Sequence, residues 1–144
     1  MSDQQSKEDQ VNNLAVEIRV LESTYNELTS RQNLLERALI ENRAALDAIK
    51  ALGDKKVHEV LTQVGGGAML RSSPPDAENV LVNVGADVVL EKPRDEALAI
   101  IEERTKEVER SIVSIVGQRD EISQRLESDR QVLQMLVSST SQKG

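Results

Sequence analysis

Apolar side chains recur at a fixed spacing along the stretch 11–49. Positions a and d of a seven-residue repeat are occupied there by Val11, Leu14, Ile18, Leu21, Tyr25, Leu28, Gln32, Leu35, Leu39, Asn42, Leu46 and Ile49. Ten of these twelve residues are apolar, and the repeat never changes register. An average spacing of about 3.5 residues favours a left-handed coiled coil, because it keeps one apolar stripe against a partner helix. The pattern predicts a coiled-coil helix over 11–52, which Gly53 can cap.

A second stretch, 98–136, repeats the pattern. Its a and d positions hold Leu98, Ile101, Thr105, Val108, Ile112, Ile115, Arg119, Ile122, Leu126, Asp129, Leu133 and Leu136, of which nine are apolar. Pro93 is tolerated in a first helical turn, and the acids Asp95 and Glu96 suit the positive end of a helix dipole. We therefore predict a second coiled-coil helix over 93–137.

The two stripes of a and d positions, which we call the seam, each cover 39 residues. If the helices fold back on one another, residue i faces residue 147 − i, so that Asn42 lies opposite Thr105 and Gln32 lies within about one turn of Arg119. Polar seam pairs cost stability but discriminate against shifted registers. We expect an antiparallel two-helix hairpin about 60 Å long. Two separate coiled coils formed between chains are the alternative.

The stretch 53–92 has a different pattern, with short β-branched runs separated by glycines. Gly65-Gly66-Gly67 separates the first pair of runs and Gly85-Ala86 separates the second. This arrangement predicts two β-hairpins, and Gly85-Ala86 suits a type II′ turn. An isolated hairpin is marginal in water, and its edges pair readily with another chain. We therefore predict that 53–92 is an oligomerisation element, with contacts from Val64, Met69, Leu70, Val80, Leu81, Val82, Val84, Val88, Val89 and Leu90.

Composition narrows the class of protein. The 144 residues include no Cys, Trp or Phe and a single Tyr, with 30% charged residues and a net charge of −7. Long amphipathic helices need only a thin aliphatic stripe, whereas a compact core normally draws on aromatic rings. The acidic balance argues against nonspecific nucleic-acid binding, and no apolar run is long enough to span a membrane. We expect flexible tails at 1–10 and 138–144, no signal peptide, and a cytoplasmic location, since a cysteine-free chain fits a reducing compartment.

The sequence offers little material for catalysis. His58 is the only histidine, so one chain cannot build a catalytic dyad or a multi-histidine metal site. The Gly65-Gly66-Gly67 run lacks the Lys-Ser/Thr of a phosphate loop and suits a hairpin turn instead. We expect no enzymatic activity, no metal and no cofactor.

Apolar residues leave the seam near the two outer ends of the helices. The predicted register brings these two ends together. Their apolar residues predict a sticky surface, that is, an apolar surface able to bind other chains, formed by Val11, Leu14, Val16, Val20, Val132, Leu133, Met135, Leu136 and Val137. Exposed aliphatic and Met side chains form adaptable binding surfaces. A small packing interface with another helix, or frayed helix ends, is the alternative interpretation. Outward apolar residues also occur elsewhere, as at Leu34, Ile40 and Val116.

The order of long helix, two β-hairpins and long helix resembles the prefoldin alpha subunit family over essentially the whole chain. The most specific stretch runs from Val80 to Lys92 and on to Glu96-Ala97, and 64–68 is similar to the family's glycine-centred first hairpin. The beta class has one hairpin, so two hairpins indicate the alpha class. The chain departs from the family at Gln63, where Pro is frequent, and at Met69, Val88 and Val89, where aromatic residues are frequent.

The resemblance implies a fold class that is mainly α with a small β part, in which the β-hairpins join into an intersubunit β-barrel. It also implies a heterohexamer of two alpha-type and four beta-type chains. The helix tips would hold non-native polypeptide without ATP and deliver it to a group II chaperonin. A coiled-coil scaffold or tether that assembles through its hairpins, without chaperone activity, is the alternative function.

Overall fold

In a computed structural model of the chain, which describes residues 2–141, two long helices are joined by two β-hairpins. The elements are α1 (Ser2–Gly53), β1 (Val60–Gly65), β2 (Ala68–Ser72), β3 (Asn79–Gly85), β4 (Val88–Pro93) and α2 (Arg94–Ser141). Strands β1 and β2 form one antiparallel sheet, and β3 and β4 form another. The predicted fold class, mainly α with a small β part, is confirmed. The assembly of the hairpins into a barrel is outside a single chain.

The chain divides into two compact units. The first contains the described parts of 1–36 and 110–144, and the second contains Arg37–Glu109, including both hairpins. In each unit the seam is the hydrophobic core, and none of its positions is exposed. The most buried seam residues are Leu28, Ile115 and Leu126 in the first unit and Leu46 and Thr105 in the second.

Side-chain pairs within each unit confirm the antiparallel register. In the second unit, Arg43 pairs with Glu109 at 3.1 Å, and Lys50, seven residues later, pairs with Glu102, seven residues earlier. In the first unit, Glu22 pairs with Arg130 at 2.8 Å, and the residue ten positions later, Gln32, meets Arg119. Each partner lies within five positions of the predicted 147 − i.

Arg119 lies at a seam position and is held by two other seam residues of the first unit. Its Nη1 donates to Gln32 Oε1 at 2.5 Å and its Nη2 donates to the Tyr25 hydroxyl at 2.9 Å. The guanidinium carbon is 4.7 Å from the centre of the Tyr25 ring, within the range of a cation–π contact. Gln32 in turn donates to Glu36 Oε1 at 3.0 Å. The predicted proximity of Gln32 and Arg119 is therefore a direct hydrogen bond.

Both helices are longer than the heptad pattern predicts. Helix α1 begins at Ser2, so residues 2–10, predicted as a flexible tail, are helical, and α2 continues past 137 to Ser141. The reason is that 2–52 contains no Gly or Pro and that Lys7 continues the d positions of the seam, where it is half-buried. A lysine can bury its aliphatic stem in this way while its ammonium group stays in water. Residues 142–144 of the predicted C-terminal tail lie outside the described residues.

The second hairpin does not have the type II′ turn predicted for it, and both hairpins share another turn geometry. Gly65 pairs with Ala68 and Gly85 with Val88, which leaves two-residue turns at 66–67 and 86–87. Both central residues have positive φ in each turn, at 59° and 79° in the first and at 50° and 60° in the second. Positive φ at both positions is typical of a type I′ turn, which matches the right-handed twist of the strands. The prediction placed Gly85 inside the turn, whereas it precedes the turn at an irregularity in the ladder.

Gly53 does not cap α1 through a left-handed backbone. The positive φ after the helix falls at Lys55 (57°), and the last backbone bonds run from Asp54 N to Lys50 O and from Lys55 N to Leu52 O. A Cβ added to Gly53 would lie 2.5 Å from Nη1 of Arg94. The glycine therefore makes room for the Arg94 guanidinium, and a cation suits the negative end of α1.

Candidate functional site

The predicted sticky surface at the outer helix ends consists of two kinds of side chain. Val11, Leu14, Leu133 and Leu136 are half-buried in the seam of the first unit. The remaining residues project away from the seam and are exposed, and we call them the tip residues: Val16, Val20, Val132, Met135 and Val137. Met135 is 65% exposed, and the flexible thioether side chain adapts to partners of irregular shape. Of the nine predicted residues, the five tip residues offer the more exposed apolar area.

The two outer helix ends meet within the first unit. A groove of about 470 Å³ is lined by Gln4, Lys7, Glu8, Val11 and Asn12 from α1 and by Val137 and Thr140 from α2. The structure therefore brings Val11 and Val137 together, as the predicted register requires. The polar lining residues from 4–8 were not identified from the sequence. Extension of the heptad count by one repeat, to Lys7, was the signal that could have found them.

The hairpins carry the second candidate surface. Eight of the ten predicted contact residues are exposed, with Leu81 the most exposed at 71%. Val80 is half-buried, and Val82 is only 4% exposed in the single chain. The chain therefore already covers part of β3, which the sequence interpretation treated as uncovered.

Two hydrogen bonds hold the β3–β4 hairpin against α2. The backbone N–H of Arg94 donates to the Glu78 carbonyl at 2.9 Å, and the Arg104 guanidinium donates to the Asn83 carbonyl. Ala97, between these two arginines on α2, is fully buried, and its small side chain permits close approach of another element. The covered face of the hairpin is the one that carries Val82.

Cross-strand pairing defines the opposite, uncovered face of this hairpin. Paired residues point to the same side of a sheet, so Val82 shares its face with its partner Leu90, and Leu81 shares the other face with Glu91. Val89 lies on the same face as Leu81, since it pairs with Asn83. This outer face is apolar at Leu81 and Val89, and both are more than half exposed.

The β1–β2 hairpin has no covered face. Every residue from 61 to 72 is exposed, and Val60 alone is half-buried. Its ion pair between Arg71 and Glu59, at 3.1 Å, lies in solvent. Leu61, Val64, Met69 and Leu70 are all more than half exposed.

The described residues show no arrangement typical of catalysis. Gly65, Gly66 and Gly67 form the β1–β2 turn, and His58 is exposed beside the same hairpin. Across 2–141 there is no group of three or more His, Cys, Asp or Glu residues that could hold a metal ion. Within the same range, neither helix is apolar enough along its length to cross a membrane.

Comparison with known proteins gives consistent matches. The sequence model of the family described as Prefoldin subunit matches residues 21–139. Prefoldin subunit alpha of Methanoculleus marisnigri is 36% identical over 126 residues, which cover 78% of this chain and 85% of that protein. The protein of the same name from Nitrosopumilus maritimus is 27% identical over 137 residues, covering 95% of this chain and 94% of that one.

A solved structure shares the fold. The cryo-EM structure of filamentous PFD from Methanocaldococcus jannaschii is similar to this chain with a TM-score of 0.64 and 22% sequence identity. The similarity covers 77% of this chain and 93% of that one. At this level of identity it supports the arrangement of helices and hairpins alone.

Proposed function

This chain belongs to the prefoldin family, a family of chaperones rather than enzymes, and from that premise we propose that it is an alpha-type subunit that holds non-native polypeptides without ATP. The observation that carries the proposal is the exposure of the tip residues on helices whose seam is otherwise covered. Non-native chains expose apolar side chains, and burial of apolar area contributes about 25 cal/mol per Å². Each tip offers a small area, so useful affinity requires several tips to act together.

The proposal includes assembly through the hairpins. Prefoldin alpha subunits form oligomers with beta-type subunits, and we propose a hexamer of two alpha-type and four beta-type chains whose hairpins join into β-barrels. The exposed apolar residues of both hairpins support this, since isolated two-stranded sheets are marginal in water. Val82 does not contribute to the contact in this proposal, because it is already buried in the single chain. Delivery of the held polypeptide to a group II chaperonin in the cytoplasm completes the proposal.

The holding function is tested with the assembled complex and a model protein diluted from denaturant. One variant carries Gln at the tip residues, that is, at positions 16, 20, 132, 135 and 137. Its control carries Leu34→Gln, Ile40→Gln and Val113→Gln, which remove aliphatic groups outside the tips that are at least as exposed as the tip residues. We expect the tip variant to lose most of its suppression of aggregation, measured by light scattering, while the control retains it. Equal protection by both variants would exclude the tips as the binding surface.

Assembly is tested by native mass spectrometry with a prefoldin beta-type subunit. We expect a mixed hexamer from the wild-type chain and none from a Leu81→Lys/Val89→Lys variant, because lysines on an open sheet face oppose pairing with another sheet. A chain that assembles but protects no unrelated denatured protein, and binds one folded partner instead, would be a scaffold or tether.

A further inference from the structure

The two hairpins have the same connectivity but unequal support from the rest of the chain. In the β3–β4 hairpin Val82 is buried. The hairpin accepts hydrogen bonds from two residues of α2, from the Arg104 guanidinium at Asn83 and from the Arg94 N–H at Glu78, which directly precedes β3. The β1–β2 hairpin buries no side chain, and its ion pair between Glu59 and Arg71 joins two exposed residues. Exposed ion pairs contribute little to stability, so that bond does not replace a packed face.

The turns of the two hairpins also differ in composition. The β1–β2 turn is Gly66-Gly67, preceded by a third glycine, whereas the β3–β4 turn is Ala86-Asp87. Glycine adopts positive φ without strain, but it also loses the most conformational freedom when the hairpin forms. At β3–β4, the Asn83 side chain accepts a hydrogen bond from the Gly85 N–H at 2.9 Å and supports the turn.

We propose that β1–β2 folds only when a beta-type partner subunit covers it, whereas β3–β4 is already ordered in the free chain. This inference rests on the proposed assembly, because the partner is the beta-type subunit with which alpha-type chains form oligomers. The partner must supply apolar side chains to both faces, since Leu61 and Met69 lie on one face and Leu70 lies on the other. The β3–β4 hairpin offers one open face and therefore serves as the preformed docking element. Assembly then has an order, with β3–β4 first and β1–β2 second.

Hydrogen exchange of the full chain tests the first half of this proposal without a partner. At a dilution where light scattering shows a monomer, we expect amides of 60–72 to exchange at nearly the rate of an unfolded peptide. Those of 79–93 should exchange at least about tenfold more slowly, because opening them breaks the contacts with α2. Equal protection of the two hairpins in the monomer would overturn the inference, even if the chain then assembles normally. Failure to assemble with any beta-type subunit would instead contradict the proposed function.

The second half is tested with matched disulfides, which the cysteine-free chain permits. Leu61 pairs with Arg71 in the first hairpin and Leu81 pairs with Glu91 in the second, so both cross-links join a leucine to a charged residue ten positions later. A disulfide at Leu61→Cys/Arg71→Cys holds β1–β2 in its folded form before binding. We expect the oxidised variant to have a Kd for the beta-type subunit about tenfold lower than the same variant after reduction, a comparison in which the loss of Leu61 cancels. With Leu81→Cys/Glu91→Cys, the oxidised and reduced forms should have Kd values within about twofold of each other, since both forms lack the Leu81 side chain and β3–β4 is ordered in either. A Kd that the first disulfide leaves unchanged or raises would contradict coupled folding.

Discussion

No neighbouring atom requires a glycine at position 117. A Cβ built at this position in the middle of α2 meets no atom within 4 Å. Because glycine disfavours an exposed helix interior, Gly117→Ala should raise the free energy of unfolding by about 0.8–1 kcal/mol. Thermal unfolding followed by circular dichroism measures this change. Gly53→Ala is the matched control, and we expect no gain from it because its Cβ would displace the Arg94 guanidinium. A gain at Gly53 equal to that at Gly117 would contradict the role given to Arg94.

The cluster around Arg119 makes a second prediction at the scale of single residues. Gln32→Leu leaves the seam guanidinium with one partner fewer, and we expect it to destabilise the chain by about 1–3 kcal/mol. Arg119→Leu removes the charge itself and completes an apolar layer, so it should be neutral or stabilising. Urea unfolding of the two single variants and the double variant measures both effects. In the double variant the penalty of Gln32→Leu should vanish, and its persistence would show that Gln32 acts through other contacts.

Arg104 of α2 donates a hydrogen bond to β3, so its replacement should destabilise the β3–β4 hairpin and leave the helix unaffected. We expect Arg104→Ala to destabilise β3–β4 by about 1.5 kcal/mol, because the Asn83 carbonyl loses a charged donor. Hydrogen exchange of 79–93 should then approach that of 60–72. Arg71→Ala removes an arginine of similar size from an exposed ion pair and should change neither hairpin measurably. If the exchange rates of β3–β4 stay unchanged in Arg104→Ala, the hairpin is stabilised by the burial of Val82 and not by the hydrogen bond from Arg104.

At the scale of elements, the sequence predicts the helices and hairpins, but not the turn type or the residue at which α1 begins. The heptads identify the seam positions from Val11 to Ile49 and from Leu98 to Leu136, and the glycines locate both hairpins, because both are local signals. The turn type was missed because positive φ is unusual for Ala, so Ala86 was not expected to share the centre of the turn with Asp87 in that conformation. The start of α1 was missed because Lys7 is counted as polar although its stem extends the seam.

The candidate surfaces were predictable to a similar degree. The tip residues Val16 and Met135 were identifiable because they break a known pattern on the side away from the seam. Burial of Val82 was not, since it depends on tertiary packing that no local spacing encodes. Sequence alternation shows which residues share a face of a strand, but not which face another element covers.

Across the whole molecule, large apolar side chains are more often exposed than buried, unlike those of a domain that is stable on its own. Among the described residues, eighteen large hydrophobic side chains are exposed and six hydrophobic residues are buried. The chain lacks Phe and Trp, and the aliphatic seam that forms its core is mostly half-buried rather than fully buried. Half of the exposed set lies on the hairpins, where partner strands can cover it. Of the other nine, five are the tip residues, which we propose bind polypeptide, and four are Leu34, Ile40, Val113 and Val116.

The acidic surface provides a test of what drives binding by the whole molecule. A net charge of −7 attracts basic partners at low salt, and screening shortens that attraction to about 10 Å at 0.1 M ionic strength and 3 Å at 1 M. Apolar burial is not weakened by sodium chloride, so a surface made of the tip residues should hold its substrate at both salt concentrations. We expect suppression of aggregation by the assembled complex to change less than about twofold between 0.1 and 1 M salt, for an acidic and for a basic denatured protein alike. A severalfold loss confined to the basic protein would mean that the acidic helix faces, rather than the tips, capture it.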